Sequence, residues 1–193
     1  MPLTVIKVGG AISALPHALT AAGQALAAAA ARQRIVVIPG GGPFADQVRA
    51  FDNAHALSPT AAHWMAILGM DQYAFALADK TPGGRVVDDR PGIQAAHATA
   101  LVPILAPSRW LRAADELPHS WEVTSDSLAA YLAMLLGADD LILIKPTGVG
   151  DGLTDPYFSR ALAAGMRCRI VGIDAIASLP DVVADSEPPG RRG

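Results

Sequence analysis

Three lysines occur in the 193-residue chain, and two of them end short apolar runs that turn at once into glycine-rich segments. Lys7 closes "TVIKVGG" (Thr4–Gly10), and Lys145 sits within "LILIKPTGVGDG" (Leu141–Gly152). A buried ammonium group is costly unless an anion answers it. A second glycine loop, "PGGGP" (Pro39–Pro43), follows another apolar run, and "TSDS" (Thr124–Ser127) puts Asp126 at the start of a helical stretch. Glycines let the backbone approach a phosphate and aim N–H groups at it, and a helix N-terminus adds partial positive charge. Two lysines could neutralise a migrating phosphoryl group, with one aspartate holding both in place. Phosphoryl transfer asks for this positioning and charge stabilisation more than for covalent work by the protein.

Each feature alone has a plainer reading. A Gly-Gly is a turn, Asp126 is a first-turn acid favoured by the helix dipole, and Lys145 snorkels from a strand end. The combination is the specific signal. Rival phosphate motifs fit less well. No G-x-x-x-x-G-K-[ST] run occurs. Gly40, Gly42 and Ala45 fit a dinucleotide fingerprint, which requires a strand ending in an acid roughly 20 residues on. Residues 60–70 read instead as helix.

The elements that must position these groups alternate along the chain. Strands are expected at Leu3–Val8, Arg34–Ile38, Leu101–Leu105, "LILIK" (Leu141–Lys145) and Cys168–Ile173. "TPGGRVVDD" reads as a turn and short strand, half of a hairpin. Helices are expected at Leu15–Ala31, after "PGGG" with Pro43 at its first position, and at Pro59–Asp79, Pro107–Ala114, Thr124–Leu136 and Asp155–Ala164. Strands this apolar are buried on both faces, which predicts a three-layer αβα sandwich with a mostly parallel central sheet. Ligands then sit beyond the carboxyl ends of the strands. Met65, Leu68 and Phe75 are read as core positions.

Composition narrows the function further. Half of the residues (51%) are hydrophobic, enough for one domain, expected over 1–183, with a polar tail at 184–193. A net charge of −3 without a basic stripe argues against nucleic acid as a partner. The single Cys168 excludes an internal disulfide and a Cys-based zinc site, and fits a reducing cytoplasm. The Ala-rich 18–31 segment, interrupted by Gly23 and Gln24, reads as a packed helix, not a membrane span. No spacing groups the five histidines with acids into a metal site, and His63 and His119 read as surface or hydrogen-bonded residues.

The K-x-G-G run, the G-G-G loop, "TSDSLAAYLAMLLGADDLILIK" and the following "VGDGLTDP" together resemble the amino acid kinase family, in the right order from about Leu3 to Ile173. The resemblance implies the carbamate kinase-like fold, ATP and Mg²⁺ as cofactors, a small-molecule acceptor and a homo-oligomer. It assigns Lys7, Asp126 and Lys145 to catalysis. Lys7, Gly9, Gly10, Lys145, Thr147, Asp151, Gly152 and Asp155 would bind ATP, and Gly40, Gly41 and Gly42 would hold the acceptor phosphate. "IPGGGPFADQVR", "HWMAILGMDQYA" and "WEVTSDSLAAYLA" are most similar to the branch that phosphorylates an aminomethylfuran phosphate in methanofuran or methylofuran biosynthesis. UMP, isopentenyl phosphate or an amino acid carboxylate as acceptor, and a non-catalytic nucleotide-binding role, stand as alternatives. An aminofuran calls for an aromatic or apolar wall and a carboxylate. Trp64, Asp71 and Trp121, with His119 and Glu122, are the candidates by placement. The chain departs from the family at Ala11, where Ser or Thr is usual, and in "PTGVGDG", which carries an extra glycine.

Overall fold

The computed structural model describes residues 2–148 and 150–185. Six strands, β1 (Leu3–Val8), β2 (Arg34–Pro39), β3 (Gly84–Val87), β4 (Val102–Leu105), β5 (Asp140–Lys145) and β6 (Arg167–Gly172), form one sheet. Their order is β3-β4-β2-β1-β5-β6, and every neighbouring pair is parallel. Among the described residues eight α-helices accompany them: α1 (Ala18–Ala30), α2 (Gly42–His55), α3 (Pro59–Lys80), α4 (Arg90–Ala98), α5 (Ser108–Ala114), α6 (Ser125–Leu136), α7 (Phe158–Ala161) and α8 (Leu179–Ala184).

The two-residue period of the strands sorts their side chains onto two faces. Val5, Leu141 and Leu143 pack in the core that contains α6, whereas Ile6, Val8, Ile142 and Ile144 pack in the core that contains α1 and α8. Lys7 and Lys145 fall in the first alternation, so both emerge on the α6 side. β1 and β5 run with Lys7 opposite Leu143, which sets the two lysines near each other at the strand ends.

Several expectations need correction. The segment after "TPGG" is not half of a hairpin. β3 pairs parallel with β4, from Gly84 opposite Val102 to Val87 opposite Leu105. The crossover is α4, an element not foreseen from the sequence, whose start is capped by Asp89 accepting from the Gly92 N–H at 2.7 Å. The helix expected over Asp155–Ala164 shrinks to α7. The first helix begins only at Ala18, behind a 3-10 turn over Gly10–Ala14. Leu68 and Phe75 are exposed, at 43% and 65%. They lie seven residues apart on the outer face of α3, while Ile67, Met70, Ala74 and Leu77 fill its inner face. The tail expected from Ala184 starts inside α8, and residues 186–193 lie outside those described.

Candidate active site

The chain winds to one side of β1 through β2, and returns on the other side through β5. The carboxyl end of β1 is therefore the switch point, where a parallel sheet opens a crevice. Two contacts draw the neighbouring turns onto it. The Gly9 N–H donates to the Ile144 carbonyl at 2.8 Å, and the Gly40 N–H donates to the Val8 carbonyl at 2.8 Å. The two glycine loops then meet backbone to backbone. A Cβ on Gly10 would lie 2.2 Å from the Gly42 nitrogen, closer than atoms can approach. Gly42 also has φ +55°, a left-handed conformation that suits glycine.

Lys7 Nζ donates to Asp126 Oδ1 at 2.8 Å. Lys145 Nζ donates to both oxygens of the same carboxylate, at 2.8 and 2.6 Å. One buried carboxylate thus serves two ammonium groups. Burial pushes Asp126 toward higher pKa, but the charges of Lys7 and Lys145 outweigh it and hold the carboxyl below its ordinary range. Burial lowers the pKa of Lys7, and Asp126, already shared with Lys145, offsets this only in part. The triad sets two ammonium groups against one carboxylate, and the nearby Asp155 carboxylate also acts on Lys7.

α6 is held in place from outside. Its N-cap residue Thr124 makes no capping bond of its own. Instead Asp155 accepts from the Thr124 N–H (3.0 Å), the Thr124 hydroxyl (2.8 Å), the Ser127 N–H (3.1 Å) and the Ser127 hydroxyl. Asp155, expected at the nucleotide, is engaged in fixing the first turn that carries Asp126. Thr147, Asp151 and Gly152 lie in the exposed loop after β5. Ser13, the hydroxyl nearest Ala11 in the sequence, donates to the Gly10 carbonyl at 2.8 Å.

On the β2 side of the triad lies a cavity of ≈ 450 Å³. One face of α2 lines it at helical spacing (Gly42, Ala45, Asp46, Arg49, Asp52), and one face of α3 does the same (Pro59, Ala62, His63, Ala66, Ile67, Met70). Gly10, Gly41, Thr124 and Ser125 complete the end nearest the triad, so the N-termini of α2 and α6 both border it. Of the residues expected at the acceptor, Trp121 and His119 line the cavity. Trp64 and Asp71 do not. Trp64 packs edge-on against His63 and His119 with the Arg112 guanidinium 4.9 Å from its ring centre. Asp71 accepts from the Ser108 N–H at 3.1 Å. Gly40 stays behind the loop, and Glu122 is not in the lining. Arg49 and Asp52 were not picked out from the sequence, and His63, expected as a surface or hydrogen-bonded residue, is buried in the cavity wall; all three lie at three- or four-residue spacing from other lining residues of their helices.

His63 is buried and stacks on His119 at 4.3 Å. Burial, and then the neighbouring His119, lower it to about 4, so it is neutral at pH 7. Among the described residues no group of three His, Cys, Asp or Glu could hold a metal ion.

Residues 2–148 match the model of the amino acid kinase family. The chain belongs to the amino acid kinase family. It is 34% identical over 125 residues to a [5-(aminomethyl)furan-3-yl]methyl phosphate kinase of Methanocaldococcus jannaschii. That match covers 65% of this chain and 56% of the relative, so the chain spans little more than half of the curated protein it resembles. Two solved structures share the fold at 14% identity: a uridylate kinase from Archaeoglobus fulgidus (TM-score 0.69, 95% of each chain) and a UMP kinase from Ureaplasma parvum (TM-score 0.65, 96% of each chain). The parallel sheet with helices on both faces is the architecture of this kinase family.

Proposed function

We propose that this amino acid kinase family member transfers the γ-phosphoryl group of ATP to a phosphate-bearing acceptor, with [5-(aminomethyl)furan-3-yl]methyl phosphate as the acceptor and its diphosphate as product. The observation that carries the reading is the Lys7–Asp126–Lys145 triad at the end of β1, with the loop after β5 on one side and the cavity on the other. The nucleotide would occupy the β5 side, at Gly9, Gly10 and the 147–155 segment. The acceptor would occupy the cavity, its phosphate against Gly41, Gly42 and the start of α6. Helix N-termini and N–H groups suit that anion.

The acceptor phosphate oxygen attacks the γ-phosphorus in line, and the bond to the β-phosphate oxygen breaks as the new one forms. No general base is needed, since a phosphate monoester is already ionised. Lys7 and Lys145 lower the repulsion between two anions and follow the charge as it moves to ADP. Asp126 keeps both ammonium groups aimed at one point. With the aspartate already engaged by lysines, Mg²⁺ accompanying ATP would be held by phosphate oxygens and water, and would neutralise part of the phosphate charge.

The reading includes a homo-oligomer, implied by the family resemblance, and a cytoplasmic location, which the single Cys168 fits. A solution mass above the 19.9 kDa of one chain checks the first. No helix among the described residues is long and apolar enough to cross a membrane. The deciding experiment is a coupled ADP-release assay with the aminofuran phosphate beside UMP, isopentenyl phosphate and amino acid carboxylates. Turnover preferring one of those others would replace the acceptor. ATP binding without turnover on any of them would make the protein a nucleotide-binding subunit.

A further inference from the structure

Two acids line the cavity, Asp46 and Asp52, and among the described residues neither is in an ion pair, but only Asp52 is held by hydrogen bonds. Asp52, on the last turn of α2, is half-buried and fixed by two N–H donors: the Trp121 indole gives Oδ2 a bond of 2.7 Å, and the Leu57 backbone gives Oδ1 one of 3.0 Å. Each oxygen keeps a lone pair for a further donor. The nearest basic residue along α2, Arg49, lies with its guanidinium 4.0 Å from the Trp121 ring centre, and among the described residues no ion pair engages Asp52. A carboxylate oriented this firmly, facing a cavity whose middle is apolar (Ala66, Ile67, Met70, Leu128), is a receptor for a cation.

The geometry points to Asp52 as the residue that selects an acceptor bearing an ammonium group. This rests on reading the cavity as the acceptor site. Asp52 follows Gly42 by ten residues, so it lies roughly 15 Å along the helix axis from the glycine loop. Hydrogen bonds of about 2.8 Å at either end leave roughly 9 Å. That gap is on the scale of a five-membered ring with a one-carbon arm on each side, counted from an ammonium nitrogen on one arm to a phosphate oxygen on the other. The site then recognises a zwitterion: phosphate at the helix N-termini, flat ring between α2 and α3, ammonium on Asp52. Trp121 acts as a positioning residue, through its N–H on the carboxylate.

Calorimetric titration of [5-(aminomethyl)furan-3-yl]methyl phosphate and of its hydroxymethyl analogue, on the whole chain, tests this without requiring turnover. The wild type is expected to prefer the amine by about 10–100-fold, the strength of one charge-assisted hydrogen bond. Asp52→Asn is expected to erase the preference while binding the hydroxymethyl compound within about twofold of wild type. Trp121→Phe keeps the ring, loses the N–H and is expected to shrink the preference, and it carries the test if Asp52→Asn fails to fold. A preference that survives in the soluble variants, or that Asp46→Asn removes instead, overturns the assignment. A preference that behaves as expected in an enzyme turning over neither compound upholds the ammonium anchor and discards the kinase reading.

Discussion

Asp126 is proposed to serve both catalysis and stability, and substitutions at the three charged residues separate the two. Lys7→Ala leaves Asp126 paired with Lys145, and Lys145→Ala leaves it paired with Lys7. Both variants are expected to stay folded and to lose about 10²–10³-fold in kcat, the usual cost of removing one donor to a transition-state charge. Near-normal rates in both would show that the triad is not the reaction centre. Asp126→Asn is different, because it strands two buried ammonium groups. It is expected to cost about 3–5 kcal/mol, read by urea unfolding at neutral pH. The carboxyl is held below its unfolded value, so its stabilisation is complete above about pH 4 and is lost as the pH falls through the lower folded value. The gap between wild type and Asp126→Asn is therefore expected to narrow only under strongly acid conditions. A gap independent of pH would remove the charge argument.

At the scale of elements, the two glycine loops and the α3 face decide how the site is built. Gly10→Ala would place a methyl group against the Gly42 backbone. The loops must part, at a cost of about 1–3 kcal/mol, and ATP turnover is expected to fall with the melting temperature. An alanine variant with wild-type kinetics would show that the loops need not touch. On α3, His63 folds in a neutral state with its pKa near 4. Below about pH 6.5 the unfolded chain takes up a proton that the folded chain refuses, so stability falls from that point toward pH 4 and is flat above it. The expected size is below about 3 kcal/mol, the unscreened limit for that shift. Denaturant melts of His63→Gln should show that slope removed, while the same slope in the variant would assign it to other groups. Much of this level was legible in advance. Strand positions followed from apolar runs, and α6 from its apolar periodicity and Gly137. α4 was missed because Asp89, its cap, sits in a stretch whose Pro and Gly look like a loop. Phe75 was misplaced because an apolar residue on a helix does not announce which face it is on.

For the whole molecule, the sheet order has a kinetic consequence. With β1 between β2 and β5, the proposed acceptor cavity and nucleotide loop lie on opposite sides of the triad, so both substrates fit at once. Asp126, the carboxylate of the triad, has both oxygens engaged by lysines, which favours direct transfer over a phosphorylated aspartate. Initial rates at varied ATP and acceptor are expected to give intersecting reciprocal lines. Parallel lines, the mark of a phosphorylated enzyme intermediate, would refute direct transfer. The amino acids alone determined the strand ends, the scarcity of lysine and the glycine loops, because each is a local matter of burial cost and backbone freedom. They therefore pointed to Lys7, Lys145 and Asp126 as candidates, and the structure brings the three together. Only the tertiary structure could decide that Asp155 secures α6, that Trp64 and Asp71 stay out of the cavity lining, and that Asp52, held by Trp121 and Leu57, lines it with no ion pair among the described residues. Those roles depend on which helix faces meet across the end of the sheet, and that is fixed by packing over long sequence distances, not by any neighbouring residues.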